Sequence, residues 1–273
     1  MIPISKGPGL STVQIETDGP IGIVTLNRPE KHNAFDDALI AQLTQAFKEM
    51  ERNDAVRVVV LSAAGKSFSA GADLNWMKRV AAYSQEENLR DAMALGELMR
   101  TLHDLSKPTI ARVQGAAYGG GVGLIACCDI AVAAHAAVFA LSEVRIGLIP
   151  AVISPYVIAA LGERMARRYF LSGERFDATE AYRMGFIHEL AIDEEELDGR
   201  ITLIVHALLC AGPQAQAEAK SLINAVAHRP VSDELMADTA QRIARVRASP
   251  EGQEGVAAFL SKRDPKWLAP KEG

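Results

Sequence analysis

Residues 109–134 read TIARVQGAAYGGGVGLIACCDIAVAA, and this stretch decides the fold. It opens with a short buried strand, Thr109–Val113, continues through the glycine-rich segment GAAYGGGVG and enters an apolar helical run. A strand that is apolar on both faces is typical of a parallel sheet covered by helices, so the stretch indicates an α/β protein. Asp129 and four glycines interrupt the apolar residues 119–134, which makes them unsuitable as a membrane-spanning helix.

Strands and helices alternate upstream of this stretch. In chain order they are a hairpin of Val13–Ile15 and Ile21–Leu26, an amphipathic helix over 36–52 that begins near Asp36 or Asp37, a buried strand Val56–Leu61 and a helix over about 85–105. Such alternation predicts parallel pairing of the strands.

Downstream of residue 150 the pattern becomes helical, except for a brief apolar run at Phe186–Ile192. The predicted helices span 152–161, 164–172, 177–184, 194–211, 213–227, 231–247 and 251–262. We therefore expect an α/β core over residues 1–195. A C-terminal helical region over 196–273 is expected to cover that core or a neighbouring subunit.

Composition excludes several classes of protein. The 273 residues are 49% hydrophobic and 23% charged, which is ordinary for a globular chain and unlike a disordered one. The net charge of −5 gives no basic excess for nucleic-acid binding. The three cysteines include the neighbours Cys127 and Cys128, which cannot readily bridge each other, and the N-terminal residues lack the apolar run of a signal peptide. We expect a reduced, cytoplasmic setting.

Two nucleotide-binding patterns are present only in part. Gly65-Lys66-Ser67 resembles the end of a P-loop, but Val60 stands where the first glycine is required. Gly121–Ala126 fits a dinucleotide fingerprint, yet the preceding strand ends at Val113, well before the first glycine. The histidines lack metal-ligand spacing, and no serine lies in a nucleophile elbow. We expect no metal and no redox cofactor.

Two loops of small residues suggest a different chemistry. Gly119–Gly121 precede an apolar helical run, so their N–H groups lie at a helix N-terminus, where they favour anions. Phe68–Asp73 has the same character and ends with an acidic residue that can open a helix. If both loops follow strands of one parallel sheet, one N–H from each could polarise a single carbonyl oxygen, as in an oxyanion hole. The alternative is two tight turns that need glycine for positive φ.

Glu143 is a lone carboxylate in an apolar neighbourhood, with Arg145 two residues away. A buried carboxyl group has a raised pKa and can act as a general acid or base near neutral pH. The alternative interpretations are a surface salt bridge and a helix cap.

The order of these features resembles the enoyl-CoA hydratase/isomerase (crotonase) superfamily over nearly the whole chain. The matching segments are Asn27–Phe35 (NRPEKHNAF), Phe68–Leu74 (FSAGADL), Gln114–Gly121 (QGAAYGGG), Cys128–Ile130 (CDI), Glu143–Pro150 (EVRIGLIP) and Phe259–Arg263 (FLSKR). Several motifs in one order make the resemblance specific.

The resemblance implies a spiral of ββα units completed by C-terminal helices, assembled as a homotrimer or a hexamer. It implies an acyl-CoA thioester substrate, with coenzyme A as part of the substrate and no further cofactor. Glu143 would be the acid/base group, and the N–H groups of Ala72 and Gly120 would be the oxyanion donors. The residues that would bind the substrate and CoA are Lys31, Ala70, Asp73, Leu74, Phe259 and Lys262. Backbone carbonyls near Ala70 would contact the adenine. Lys262 would contact the CoA phosphates, either within its own subunit or across a subunit boundary.

One position departs from the well-known hydratases of the superfamily. They carry a second glutamate where this chain has Gly123. Gly119–Leu124 and Gly147–Tyr156 resemble bacterial hydratases of methylglutaconyl-type CoA esters, which act in leucine and acyclic-terpene degradation. We therefore predict hydration of an α,β-unsaturated acyl-CoA of that branched type. The alternatives are a Δ3-Δ2-enoyl-CoA isomerase, an RNA-binding homologue and a catalytically silent oligomer component. Gly123→Glu is expected to restore a second carboxylate if the pocket tolerates its volume.

Overall fold

A computed structural model describes residues 11–268. Within that range ten strands form two sheets. The strands are β1 (Val13–Asp18), β2 (Ile21–Leu26), β3 (Val58–Ala63), β4 (Ser67–Ser69), β5 (Thr109–Val113), β6 (Ala116–Tyr118), β7 (Ile130–Ala134), β8 (Val138–Ala140), β9 (Arg175–Asp177) and β10 (Glu189–Ala191).

Eleven α-helices lie within the same described residues. They are α1 (Asp37–Arg52), α2 (Leu74–Val80), α3 (Gln85–His103), α4 (Gly120–Cys127), α5 (Ser154–Leu161), α6 (Glu163–Ser172), α7 (Ala178–Arg183), α8 (Glu194–Cys210), α9 (Pro213–Val226), α10 (Asp233–Ala248) and α11 (Pro250–Leu260). No helix in the described part of the chain is both long enough and apolar enough to cross a membrane.

The large sheet has the order β1-β2-β3-β5-β7-β10. The predicted hairpin β1–β2 is antiparallel, and β2, β3, β5, β7 and β10 pair in parallel, as the alternation of strands and helices predicts. Every residue of β3 and of β5 is buried, which explains their continuous apolar character. These strands form the predicted α/β architecture.

The small sheet has the order β4-β6-β8-β9. Each pair β3–β4, β5–β6 and β7–β8 contributes one strand to each sheet, so the chain winds as the expected spiral of ββα units. The sequence pattern did not predict β4, β6, β8 or β9, and the expectation of helix alone around residues 175–177 is wrong. A strand of three residues is too short to show an alternating pattern.

Local sequence explains where the helices begin. Asp36 is the N-cap of α1 and accepts a hydrogen bond from the Leu39 N–H at 2.9 Å, and the apolar face of α1 is buried as predicted. Ser84 and Glu87 form a capping box at the start of α3. Caps of this kind satisfy N–H groups that the first helical turn leaves without a partner.

The chain divides into two compact units. One unit runs to Leu105 and again from Thr109 to Leu203, and it contains both sheets. The other comprises Ser106–Pro108 and the chain from Ile204 onward, with helices α9, α10 and α11. The division falls inside α8, whereas the boundary placed at 195/196 from the sequence lies at the beginning of that helix. The role of residues 196–273 in trimerisation stays a prediction.

Candidate active site

Glu143 begins a short 3-10 helix, Glu143–Ile146, shortly after β8. Its side-chain Oε2 atom is buried and has no hydrogen-bond partner among residues 11–268. Burial raises the pKa of the Glu143 carboxyl, and only its own backbone N–H acts in the opposite direction. The alternative interpretations are not supported, because in the described structure this side chain makes neither a salt bridge nor a helix cap. Such a carboxyl group can take up and release a proton near neutral pH.

Gly119 lies against this carboxylate. A Cβ atom placed on Gly119 would be 2.9 Å from Oε1 of Glu143, and its φ of +51° is one that side chains rarely adopt. The Gly119 N–H donates to the Ala140 carbonyl at 3.0 Å, which ties the end of β6 to the end of β8, three residues before Glu143. The backbone conformation therefore favours glycine here, and a side chain at this position would also displace the end of the Glu143 side chain.

The first N–H groups of α4 lie next to Gly119, which is the N-cap of that helix. The first bond within α4 runs from the Gly123 N–H to the Gly119 carbonyl at 3.1 Å. The N–H groups that precede it have no partner within the helix, and that of Gly120 is the first of them. Gly120 therefore lies at a helix N-terminus as predicted, and its role as an oxyanion donor stays a prediction.

The loop after β4 holds Ala72 in a single parallel bridge to Phe35. In that bridge the Phe35 N–H donates to the Gly71 carbonyl at 2.7 Å, and the Asp73 N–H donates to the Phe35 carbonyl at 2.8 Å. Successive backbone groups of an extended chain point to opposite sides, so the Ala72 N–H points away from Phe35. It pairs with no acceptor within residues 11–268.

The two loops lie side by side because β4 and β6 are parallel neighbours. A Cβ atom on Gly71 would be 3.5 Å from the Tyr118 carbonyl oxygen, and one on Gly121 would be 2.9 Å from Cβ of Ser69. The expectation that both loops follow strands of one parallel sheet is confirmed, but the strands are β4 and β6, not the longer β3 and β5. The unpaired N–H groups of Ala72 and Gly120 thus belong to adjacent loops.

The Asp73 side chain makes several interactions within the protein. Its carboxylate caps α2 by accepting from the N–H groups of Asn75 and Trp76, and it lies 3.4 Å from Nζ of Lys31 and 3.6 Å from Arg28. Burial raises the pKa of Asp73, but the two backbone hydrogen bonds and Lys31 outweigh it, so the pKa lies below its ordinary value. Lys31 is half-exposed and belongs to the same group of charges. A direct role of Asp73 or Lys31 in CoA binding stays a prediction.

The other residues predicted to bind CoA fall in both units. Ala70 donates its N–H to the His32 carbonyl at 2.9 Å, two residues before Ala72, and Leu74 is exposed as the first residue of α2. In the second unit, Phe259 is exposed on α11, and Lys262 follows that helix with a φ of +52°. Their contacts with CoA stay predictions.

The position of the missing second glutamate is occupied by apolar atoms. A Cβ atom on Gly123 would overlap Cγ2 of Ile153, lie 2.9 Å from its Cβ, and lie 3.2 Å from Cε of Met99. Ile153 and Met99 are both buried. The condition attached to Gly123→Glu is therefore not met, because the pocket has no room even for the first carbon of a side chain.

Three residues near the site were not predicted to have a role there, namely Phe35, Arg28 and Ile153. Phe35 and Arg28 belong to the NRPEKHNAF segment, which served only as a family motif, and Ile153 lies in the apolar run before α5. Long-range pairing of Phe35 with Ala72 across the sequence leaves no periodic signal, so only the structure reveals it.

A ββα spiral whose adjacent loops carry two unpaired N–H groups, with the Glu143 carboxyl group next to one of the loops at Gly119, is suited to the class of enzyme that polarises a carbonyl and moves a proton next to it. Comparisons with known proteins agree. The family model described as enoyl-CoA hydratase/isomerase matches residues 16–270. The chain belongs to the enoyl-CoA hydratase/isomerase family.

Three similar proteins illustrate the breadth of the match. A crystal structure of an enoyl-CoA hydratase from Shewanella pealeana has 46% sequence identity and a TM-score of 0.92, covering 94% of this chain and 96% of that one. Pseudomonas aeruginosa AtuE has 33% identity and a TM-score of 0.90, covering 95% of this chain and all of its own. The enoyl-CoA hydratase ACTT6 of Alternaria alternata is 34% identical over 268 residues, which are 96% of this chain and 85% of that protein.

Proposed function

We propose that this enzyme adds water across the double bond of an α,β-unsaturated acyl-CoA. The observation that carries the proposal is the Glu143 carboxyl group, whose Oε2 atom is buried without a hydrogen-bond partner among the described residues and whose Oε1 atom lies close to Gly119, the N-cap of α4. The neighbouring loop supplies the second unpaired N–H, that of Ala72. The similar proteins from Shewanella pealeana and Alternaria alternata are named as enoyl-CoA hydratases, which supports the same reaction.

In the proposed reaction the thioester oxygen accepts hydrogen bonds from the N–H groups of Ala72 and Gly120. Glu143 takes a proton from water while the water oxygen bonds to the β-carbon, and the electron pair of the double bond moves toward the thioester oxygen. Two fixed donors stabilise the enolate-like oxyanion that develops. Glu143 then returns the proton to the α-carbon, so that one water is added and the carboxylate is regenerated.

The proposal includes the remaining expectations about substrate and setting. Lys31, Ala70, Asp73, Leu74, Phe259 and Lys262 contribute to binding the CoA part, and no metal or redox cofactor takes part. The enzyme is a homotrimer or a hexamer. A reducing cytoplasm suits three cysteines that form no disulfide in the described structure.

We further propose an acyl group of the 3-methylglutaconyl type. With Gly123 in place of a second carboxylate, either Glu143 alone positions the water or a polar group on the substrate assists it, and we propose the second arrangement. A distal carboxylate of the acyl group supplies such a group, whereas crotonyl-CoA has none.

A second candidate is Δ3-Δ2-enoyl-CoA isomerisation, favoured by the apolar contact that Ile153 makes with Gly123. Moving one proton between two carbon atoms requires one acid/base group, and Glu143 supplies it. The same two N–H donors would stabilise the dienolate.

Incubation with three CoA esters separates the reactions. Crotonyl-CoA, 3-methylglutaconyl-CoA and a 3-enoyl-CoA are each incubated with the enzyme, and the products are followed by mass and absorbance. A mass gain of one water from 3-methylglutaconyl-CoA, larger in kcat/KM than from crotonyl-CoA, supports the proposal. Migration of the double bond without a mass change identifies the isomerase, and no reaction with any of the esters overturns both.

A further inference from the structure

Phe35 contacts both loops that carry the proposed oxyanion donors. Its backbone holds Gly71 and Asp73, the two neighbours of Ala72, through hydrogen bonds of 2.7 and 2.8 Å. Its ring lies at Gly120, where a Cβ atom would be 3.3 to 3.5 Å from Cε2, Cδ2 and Cζ. Phe35, which belongs to a third segment of the chain, therefore contacts the backbone at both proposed donors.

The segment that carries Phe35 is itself held by a buried guanidinium. Arg28 is 5% exposed; it donates to the Ala34 carbonyl at 3.0 Å and pairs with Asp36 at 2.7 Å. The same guanidinium lies 3.6 Å from Asp73, on the other side of the bridge. Arg28 thus links the residues on either side of Phe35 to the residue that follows Ala72.

Asn33 fixes the other end of this segment. It has a φ of +54°, accepts from the Arg28 N–H at 2.8 Å and donates to the carbonyls of Ala64 and Ser67 at 2.9 Å each. Ser67 is the first residue of β4, so the segment is anchored to the strand that leads into the Ala72 loop. Such a dense set of bonds leaves Phe35 little freedom to shift.

We propose that Phe35 is a positioning residue that fixes the N–H of Gly120 relative to the N–H of Ala72. The inference rests on the proposed function, because it concerns donors that polarise the thioester. A group buried only for core packing would affect stability alone. A group that sets the donor spacing must also change how strongly the bound thioester is polarised, because a displacement of about 1 Å at such a site can cost about 10²-fold in rate.

Polarisation of the bound thioester carbonyl can be measured by absorbance in a variant that does not turn over its substrate. A 2,4-dienoyl-CoA is bound to the Glu143→Gln enzyme, and the absorbance maximum of the bound dienoyl thioester is compared with that of the free ester. Hydrogen bonding to the carbonyl lowers the excitation energy of the conjugated system, so the parent variant is expected to show a shift to longer wavelength. Adding Phe35→Leu, which removes the ring from Gly120, is expected to abolish most of that shift.

Turnover is measured in the enzyme that retains Glu143. Phe35→Leu is expected to lower kcat by about 10–100-fold with little change in KM, since donor geometry matters most in the transition state. Phe47→Leu is the matched control, because Phe47 is an equally buried phenylalanine on α1. It loses the same volume and is expected to keep both the shift and kcat.

Each outcome decides between the proposals. A parent variant that binds the dienoyl-CoA without any shift overturns the oxyanion site and, with it, the role of Phe35. A parent shift that persists in Phe35→Leu, with kcat equal to that of Phe47→Leu, overturns the positioning role alone. Should Phe35→Leu fail to fold, Phe35→Met retains more of the buried volume and is held to the same two criteria.

Discussion

Gly123 on α4 and Ile153 at the N-cap of α5 are packed so closely that a Cβ atom on Gly123 would lie 2.9 Å from Cβ of Ile153. Real Cβ atoms do not approach that closely, so Ile153 excludes every side chain from position 123. Residue 123 lies one turn after Gly119 and Gly120 on the same face of the helix. Ile153 therefore fills, with apolar atoms, the space that a glutamate side chain at position 123 would need in order to reach the site.

Replacing Glu143 by glutamine is the direct test of the proposed acid/base group. Glu143→Gln keeps the shape of the side chain and removes the proton that titrates, so we expect turnover to fall by about 10²–10⁴-fold. CoA binding is expected to be unchanged. Steady-state kinetics and binding of a CoA ester measure the two effects, and near-normal turnover in this variant would contradict the assignment.

The same variant has a distinctive effect on stability. Because burial raises the pKa of Glu143, the protonated form is favoured in the folded state. The stabilisation linked to that proton is fully present below the unfolded pKa of about 4.3 and is lost as pH rises through the folded pKa. We therefore expect Glu143→Gln to match the native enzyme near pH 4 and to exceed its free energy of unfolding at pH 8. Urea unfolding at both pH values checks this, and equal differences at the two would contradict the raised pKa.

The Gly120 donor can be removed with little damage to the helix. Gly120 is the first residue of α4, a position where proline is well tolerated because the N–H has no helical partner. Gly120→Pro is expected to lower turnover by about 10²–10³-fold. Gly120→Ala adds a Cβ at the same distance from the Phe35 ring but retains the N–H, so it separates donor loss from crowding. Equal activity of the two variants, with folding checked by circular dichroism, would rule out the donor.

Asp73 both caps α2 and places a negative charge next to Lys31 and Arg28, and two substitutions separate these roles. Asp73→Asn keeps an oxygen for the cap of α2 but loses the charge next to Lys31 and Arg28, whereas Asp73→Ala loses both. Loss of the cap alone is expected to cost about 1 kcal/mol in the free energy of unfolding. Because the pKa of Asp73 is lowered in the folded state, the benefit of its charge is present above the unfolded pKa of about 3.9 and is lost as pH falls through the folded pKa.

Unfolding free energies at pH 7 and pH 3 check the prediction for Asp73. The native enzyme is expected to exceed Asp73→Asn in stability at pH 7, and this advantage is expected to be smaller at pH 3, which is below the unfolded pKa. An advantage that does not change with pH would mean that the charge of Asp73 contributes nothing to folding.

Elements with a long or repeated pattern could be predicted from the sequence. The buried face of α1 and the double-sided burial of β3 follow directly from apolar spacing. The apolar neighbourhood of Glu143 alone left a salt bridge or a helix cap open, and the family resemblance was needed to favour its catalytic role. Contacts between distant segments could not be predicted in this way. The pairing of Phe35 with Ala72 and the overlap at Gly123 depend on how helices and loops pack, which leaves no mark on the local sequence.

The contact between Gly123 and Ile153 predicts the result of installing a second carboxylate. Gly123→Glu alone is expected to fold poorly, because overpacking a buried contact costs about 1–3 kcal/mol or more, and it should not improve the hydration of crotonyl-CoA. Adding Ile153→Gly removes the two atoms nearest to a Cβ at position 123; the third nearest is Cε of Met99 at 3.2 Å, the end of a flexible side chain. The double variant is therefore expected to recover stability relative to Gly123→Glu.

The activity of the double variant distinguishes the effect of an added carboxylate from the effect of an enlarged cavity. If a second carboxylate activates water, Gly123→Glu with Ile153→Gly should raise kcat/KM for crotonyl-CoA about tenfold or more over Ile153→Gly alone, since that ratio reports transition-state stabilisation. Gly123→Gln with Ile153→Gly is the matched control, because it has nearly the same shape without a titrating group. A gain shared by the glutamine variant would trace the effect to the altered cavity. A Gly123→Glu single variant that melts at the temperature of the native enzyme would show that Ile153 yields, and that packing is not what keeps the second carboxylate out.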